Sequence, residues 1–372
     1  MLINAERGKM MQTKLLFIGK KFIYNKNLQE YVRRNVEKKV DYISSITFYK
    51  ESDNSFFLYL EEEMEKRSQL IIVTTKQNFS TLGKLLSTIT SDNQVLKDNI
   101  LVPQKSTQHE DGSYLLTYKD VVVNAIHIDE MQKLPNILIE KQTKRVSVHL
   151  FEEDIDSLKM LLNPIAQMHE VQVDFIFMTN GWTQLNILSN KYGDIEQFLL
   201  AVKKLYNKKI IINENIAQHI IQSLSKTKKK ITFAESCTGG AVVHYFVKEN
   251  GASEILDGSL VTYSNELKEN WLAIESDLVE KYGAVSYEVV REMSEGALNV
   301  SHADYAIAVS GIAGDGGGSI EKPVGTVFIG VRSRERSQER RVQLFGDRNY
   351  IQQQTVLEAV KMLLLLDKEV FF

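Results

Sequence analysis

The segment Ala234-Glu235-Ser236-Cys237-Thr238-Gly239-Gly240 places a hydroxyl and a thiol side by side at a Gly-rich turn. Ile231-Thr232-Phe233 before it reads as a short buried strand. Ala241–Lys248 after it reads as a helix with Val242, Val243, Phe246 and Val247 on one apolar face. A strand-to-helix turn exposes a nucleophile beside unpaired backbone N–H groups, which suit an oxyanion or a phosphate. Ser236 is the nucleophile by position. Cys237 competes for that role because thiolates are intrinsically better nucleophiles, although an unpaired cysteine commonly serves as a small buried hydrophobe.

Two further segments narrow the chemistry. Val261-Thr262-Tyr263-Ser264-Asn265-Glu266-Leu267-Lys268 follows, and then Ser310-Gly311-Ile312-Ala313-Gly314-Asp315-Gly316-Gly317-Gly318 with Glu321-Lys322-Pro323-Val324-Gly325-Thr326 behind it. In this order, and with Gly346-Asp347-Arg348 before the last helix, residues 210 to 370 closely resemble the C-terminal domain of the CinA family, the nicotinamide mononucleotide deamidases. The resemblance implies an amidohydrolase that releases ammonia and nicotinic acid mononucleotide and needs no metal or cofactor. It also implies a homo-oligomer, a dimer.

A serine hydroxyl needs a base, and no histidine stands at a motif position: His244 lies on the helix after the turn and His302 precedes a strand. A buried lysine with a lowered pKa, helped by a tyrosine, is the alternative. Tyr263 and Lys268 fit that role, as in the family. The substrate-binding set expected around them is Glu235, Cys237, Thr238, Gly239, Gly240, Asn265, Gly311, Gly314, Gly316, Gly317 and Arg348. Thr238, Gly239 and Gly240 offer amides and a hydroxyl to the oxyanion or to the phosphate, and the Gly311–Gly318 run offers a second backbone cradle. Arg348 is either a phosphate ligand or half of a structural salt bridge. Asp315 departs from the family, which commonly has a proline there. Its carboxylate must face away from a bound phosphate or meet the cationic pyridinium.

These residues need a scaffold, and 372 residues imply more than one domain. The expected class is α/β, in three domains with helices packed on a mixed or parallel sheet: residues 1–140, 141–208 and 209–372. In the first, Lys14–Gly19 reads as a strand, Asn27–Glu37 as a helix and Leu70–Thr74 as a strand. This part resembles a worn copy of the CinA N-terminal domain, with its molybdopterin-binding-like fold. Active members carry a Gly-Gly-Leu-Gly-Pro-Thr loop and paired acids where this chain has Thr75-Lys76-Gln77-Asn78-Phe79-Ser80. Glycines let amides approach a phosphate and carboxylates hold a divalent metal, so ADP-ribose pyrophosphatase activity is not expected. The βαββα order of residues 141–208 resembles a small KH-like domain, without the Gly-X-X-Gly loop that reads RNA. It is expected to act as a spacer or dimer contact.

A net charge of −3 argues against electrostatically driven nucleic-acid binding. A single cysteine leaves no intrachain disulfide, so a reducing cytoplasm is the expected compartment. No apolar run approaches the ~20 residues that span a bilayer. Residues 1–10, ahead of Met11, read as a leader or a misassigned start. Lys226 and Lys228–Lys230 read as a helix end, and Arg332, Arg334, Arg336, Arg340 and Arg341 as a solvated hairpin tip. The rival to the amidohydrolase reading is a non-catalytic scaffold or ligand-binding protein, which an intact Ser236, Tyr263 and Lys268 argue against.

Overall fold

The computed structural model describes residues 11–51, 53–141, 144–189, 192–314 and 316–372, which fall into two compact units, 1–145 and 146–372. The expected leader at residues 1–10 and the side chain of Asp315 lie outside the described residues.

The first unit runs β1 (Gln12–Ile18), α1 (Lys20–Tyr24), α2 (Lys26–Glu37), β2 (Ile43–Tyr49), α3 (Ser55–Glu63), β3 (Ser68–Thr74), α4 (Lys76–Ile89), β4 (Gln94–Lys97), β5 (Ile100–Pro103), β6 (Ser106–Glu110), β7 (Ser113–Tyr118) and β8 (Val121–His127). Six strands form one mixed sheet in the order β2-β1-β3-β8-β7-β6, parallel through β8 and antiparallel beyond it. β3 is buried along its whole length, which is why it reads as a continuous apolar run rather than an alternation. The segment Thr75–Ser80 is not a loop: Thr75 caps α4 by accepting from the Asn78 amide, and Phe79 packs into the core.

The second unit begins on β9 (Lys144–Phe151), α5 (Ile155–Met168), β10 (Val171–Thr179), β11 (Trp182–Ser189), α6 (Ile195–Leu205) and β12 (Ile210–Ile212). These strands form a sheet in the order β10-β11-β9-β12. It continues through α7 (Ile216–Thr227), β13 (Ile231–Glu235), α8 (Ala241–Val247), β14 (Leu260–Val261), α9 (Asn265–Leu272), α10 (Ser276–Tyr282), α11 (Tyr287–Ser301), β15 (Tyr305–Gly311), β16 (Thr326–Ser333), β17 (Ser337–Gln343), α12 (Arg348–Leu366) and α13 (Lys368–Phe371).

A boundary at 208 would cut this unit in two places. β12 closes the smaller sheet by pairing antiparallel with β9, and Phe151, Trp182 and Ile211 share one hydrophobic core with α7, α8 and α12. Phe151 stacks on Trp182 at 5.2 Å and meets the ring of Phe372 edge-on at 5.3 Å. The arginine-rich stretch also differs from the expected hairpin tip. Arg332 lies in β16 and Arg340 and Arg341 in β17, and Arg332 pairs with Glu295 at 3.0 Å.

The larger sheet has the order β14-β13-β15-β16-β17, with β13 parallel to both neighbours and β16 and β17 antiparallel. From β13 the chain passes through α8 to β14 on one side, then through α9–α11 to β15 on the other. α7, α8 and α12 cover one face, whereas α9, α10 and α11 cover the other. The carboxyl end of β13 is therefore where the strand order reverses, the position at which open α/β sheets hold their ligands.

Candidate active site

Ser236 follows directly on the last residue of β13. Its amide donates to the Val309 carbonyl of β15 at 3.0 Å, which ties the turn to the sheet. Gly239 and Gly240 then take φ of +59° and +102°, which a side chain would resist, and the chain enters α8.

Glu235 departs from its expected role as a substrate ligand. Its side chain is fully buried, and its carboxylate accepts from the Thr238 hydroxyl at 2.7 Å and from the amides of Gly240, Val242 and Val243 at 2.9, 3.0 and 2.8 Å. It is an internal cap for α8, placed where the helix dipole favours negative charge. The Thr238 hydroxyl donates its hydrogen to Glu235, so the donor this residue has left for the site is its amide. Gly239 N–H turns back to the Ser236 carbonyl at 3.1 Å. Among the described residues, the amides of Cys237 and Thr238 are left without an oxygen acceptor.

Lys268 enters from α9. Ser264 caps this helix by accepting from the Leu267 amide at 3.1 Å, which puts Lys268 one turn in. Helical side chains lean toward the N-terminus. The amine accordingly reaches back to donate to the carbonyl oxygens of Thr262 at 2.8 Å and Tyr263 at 3.5 Å, and lies 3.4 Å from Ser236 Oγ. Lys268 is 1% exposed, and no carboxylate faces it within salt-bridge distance among the described residues. Burial without a counter-ion pushes its pKa down, and the nearby Cys237 offsets this only in part.

Tyr263 was expected beside this pair. Its carbonyl is there, but its ring is 59% exposed and its hydroxyl accepts from Arg348 Nη2 at 2.8 Å. No hydrogen bond joins that hydroxyl to Ser236 or Lys268 among the described residues. Arg348 is the first residue of α12 and exposed. A Cβ on Gly314 would stand 2.8 Å from Arg348 Nη1, so this glycine is the close approach that lets the guanidinium lie over the loop.

Gly311 is a packing glycine: a Cβ there would sit 2.9 Å from the Thr326 carbonyl on β16. Gly316 and Gly317 face open space, and Asn265 is exposed at the start of α9. Cys237 is 5% exposed within the core, its carbonyl accepts from Gln352 Nε2 at 2.8 Å, and burial pushes its thiol up to about 12. The thiol therefore stays protonated, and Cys237 is the small buried hydrophobe that its unpaired state suggested, with its amide rather than its thiol left for the site. Thr262 escaped notice in the sequence. Fully buried, it donates its amide to the Glu235 carbonyl at 2.8 Å and holds the Lys268 amine, so it joins β13 to the base; its place between Val261 and Tyr263 was the available signal.

Residues 213–366 match the family described as CinA C-terminal domain. The chain belongs to the CinA family through this domain. A CinA-like protein of Thermotoga neapolitana is 42% identical over 151 residues, 41% of this chain and 37% of that protein. Another CinA-like protein, from Fusobacterium nucleatum subsp. nucleatum, is 38% identical over 209 residues, 54% and 51% of the two chains. The crystal structure of competence/damage inducible protein CihA from Agrobacterium tumefaciens is 36% identical over 40% of this chain and 92% of its own, with a TM-score of 0.39. The chain spans about half or less of the length of the curated relatives it matches. The CinA domain holds Ser236, Lys268, Tyr263 and Arg348 together, and among its described residues no helix is long and apolar enough to cross a membrane.

Proposed function

We propose that the CinA C-terminal domain is an amidohydrolase that converts nicotinamide mononucleotide to nicotinic acid mononucleotide and ammonia, with Ser236 as nucleophile and Lys268 as its base. The observation that carries this reading is the Lys268 amine, buried without a counter-ion 3.4 Å from Ser236 Oγ.

An amine of lowered pKa keeps a neutral fraction near neutral pH and can take the serine proton as Oγ attacks the carboxamide carbon. The free amides of Cys237 and Thr238 stand beside the hydroxyl and can receive the oxyanion. As the tetrahedral intermediate collapses, the Lys268 ammonium returns its proton to the departing nitrogen, which leaves as ammonia. Water then attacks the serine ester while Lys268 takes its proton; as the C–O bond to Ser236 breaks, the Lys268 ammonium returns that proton to Oγ, and the released acid ionises to the carboxylate. The carbonyls of Thr262 and Tyr263 hold the amine in place through both halves. The substrate's cationic pyridinium disfavours an ammonium next to it, which again supports the neutral base. Arg348, aligned by Tyr263, is the group available for the substrate phosphate.

The test is ammonia release from nicotinamide mononucleotide by the purified full chain, beside Ser236→Ala. Turnover by the native chain and its loss by several orders of magnitude in the variant support the reading. A Ser236→Ala chain with native turnover overturns it.

A further inference from the structure

A second concavity of the same unit lies away from Ser236. It is a cleft of about 490 Å³ whose floor is one face of α12, with β17 on one side and the end of the β10–β11 hairpin on the other. That volume is within the range of small-molecule sites, ~300–1,000 Å³.

Its floor is charged. Lys361 and Glu358 pair at 2.7 Å with side chains 3% and 5% exposed, Glu358 also accepts from the Thr179 hydroxyl, and Lys361 donates to the Asn180 carbonyl at 2.7 Å. The pair lies within α12, three residues apart, and only its hydrogen bonds to Thr179 and Asn180 reach the hairpin; burying it contributes little stability, because desolvation cancels much of the attraction. Above the pair stands Arg340. In register it is opposite Ile329, a core residue of the α12 side, so its side chain is on the cleft face of β17. Its neighbour Arg341 points the other way, across the ring of Phe328 at 5.8 Å. Arg340 has no hydrogen-bond or ion-pair partner among the described residues, yet its charge is close enough to depress Lys361 further. The rim is aromatic: Phe177, Phe345 and Tyr350 are 57%, 77% and 51% exposed. With the floor pair neutral in sum, the cleft offers one free guanidinium beside three ring faces.

We propose that this cleft is a second ligand site, for an aromatic or heteroaromatic molecule carrying one phosphoryl or carboxylate group, with Arg340 on the anion and the rim aromatics on the ring. A fork of N–H donors binds such an oxyanion in two-point fashion, and exposed aromatic faces gain by covering a planar partner. A free mononucleotide has this chemistry, and so does each unit of a single strand. The site stands independently of what the Ser236 site does.

The experiment is calorimetric titration of the full chain with AMP, in an Arg348→Ala background so that the Ser236 site cannot supply the phosphate contact. Adenosine and inorganic phosphate serve as half-ligands, and a twelve-residue oligo(dA) as the strand form. Saturable AMP binding that Arg340→Ala or the exposed Phe345→Ala weakens about tenfold or more, with both half-ligands weaker than AMP, supports the site. Oligo(dA) that competes with AMP and depends on Arg340 identifies the strand as the source; oligo(dA) that does not bind identifies the free nucleotide. Arg340→Ala should leave turnover at the Ser236 site unchanged. The proposal is overturned by AMP binding that Arg340→Ala does not alter, or by no binding up to about 10 mM.

Discussion

Removing the Glu235 carboxylate separates a capping role from a substrate contact. In Glu235→Ala, the hydroxyl of Thr238 and the amides of Gly240, Val242 and Val243 lose their acceptor, those of Thr238 and Val242 in buried positions and the other two in half-buried ones. A buried donor left unmade costs about 1–3 kcal/mol, and the four will not add fully because the first turn of α8 can relax. A total of about 4–6 kcal/mol is expected, and at ~2–4 °C per kcal/mol for a unit of this size the melting temperature should fall by roughly 10–20 °C. Glu235→Gln keeps one oxygen but turns an NH2 toward a donor, for about 1–3 kcal/mol. The assay is thermal unfolding by circular dichroism beside steady-state kinetics on nicotinamide mononucleotide. Both variants should lose stability and kcat together, since the turn that carries Ser236 is what collapses. A Glu235→Gln chain that melts like the native one while its KM rises more than about tenfold would refute the cap and restore Glu235 as a ligand.

Cys237→Ala should keep turnover within about tenfold, and iodoacetamide at pH 8 should leave the native thiol unmodified, because a group pushed up to about 12 carries almost no thiolate there; rapid alkylation with loss of activity would contradict this. Lys268→Met should abolish turnover yet raise the melting temperature at neutral pH. The sign follows from linkage: the folded pKa lies below the unfolded ~10.4, so unfolding takes up a proton between the two, and stability contributed at this site rises with pH through that window. Each unit of lowering is worth about 1.4 kcal/mol that methionine avoids; a melting point several degrees lower would show the amine to be stabilising. Tyr263→Phe should raise KM more than it lowers kcat, because its hydroxyl contacts Arg348 rather than the reacting pair; a fall in kcat alone of about 100-fold or more would put the hydroxyl back in the proton path.

Local patterns made much of this site readable. Ile231-Thr232-Phe233 is a short β-prone stretch and Gly239-Gly240 supplies positive φ, so the strand-turn-helix around Ser236 was visible; the helix that carries Lys268 and its Ser264 cap were not read. The role of Glu235 was not, although an acid before a Thr-Gly-Gly helix start is a capping pattern that could have been weighed. The turn of the Tyr263 side chain toward Arg348 was not legible, because a motif position does not say which way a side chain points. The boundary near 208 missed β12, three residues that become a strand only by pairing with β9 about 60 positions earlier. The core contact of Phe151 and Trp182 with Phe372 is equally non-local and leaves no periodic trace.

Activation of Ser236 by a neutral Lys268 is decided by the pH dependence of kcat for ammonia release, with the native chain and Lys268→Arg measured side by side. The account predicts an acidic limb that rises tenfold per pH unit to a plateau reached below the ordinary lysine range, and a Lys268→Arg chain slower by about 100-fold or more across the profile, since arginine does not give up its proton. Native-like turnover by Lys268→Arg, with the same acidic limb, would contradict it.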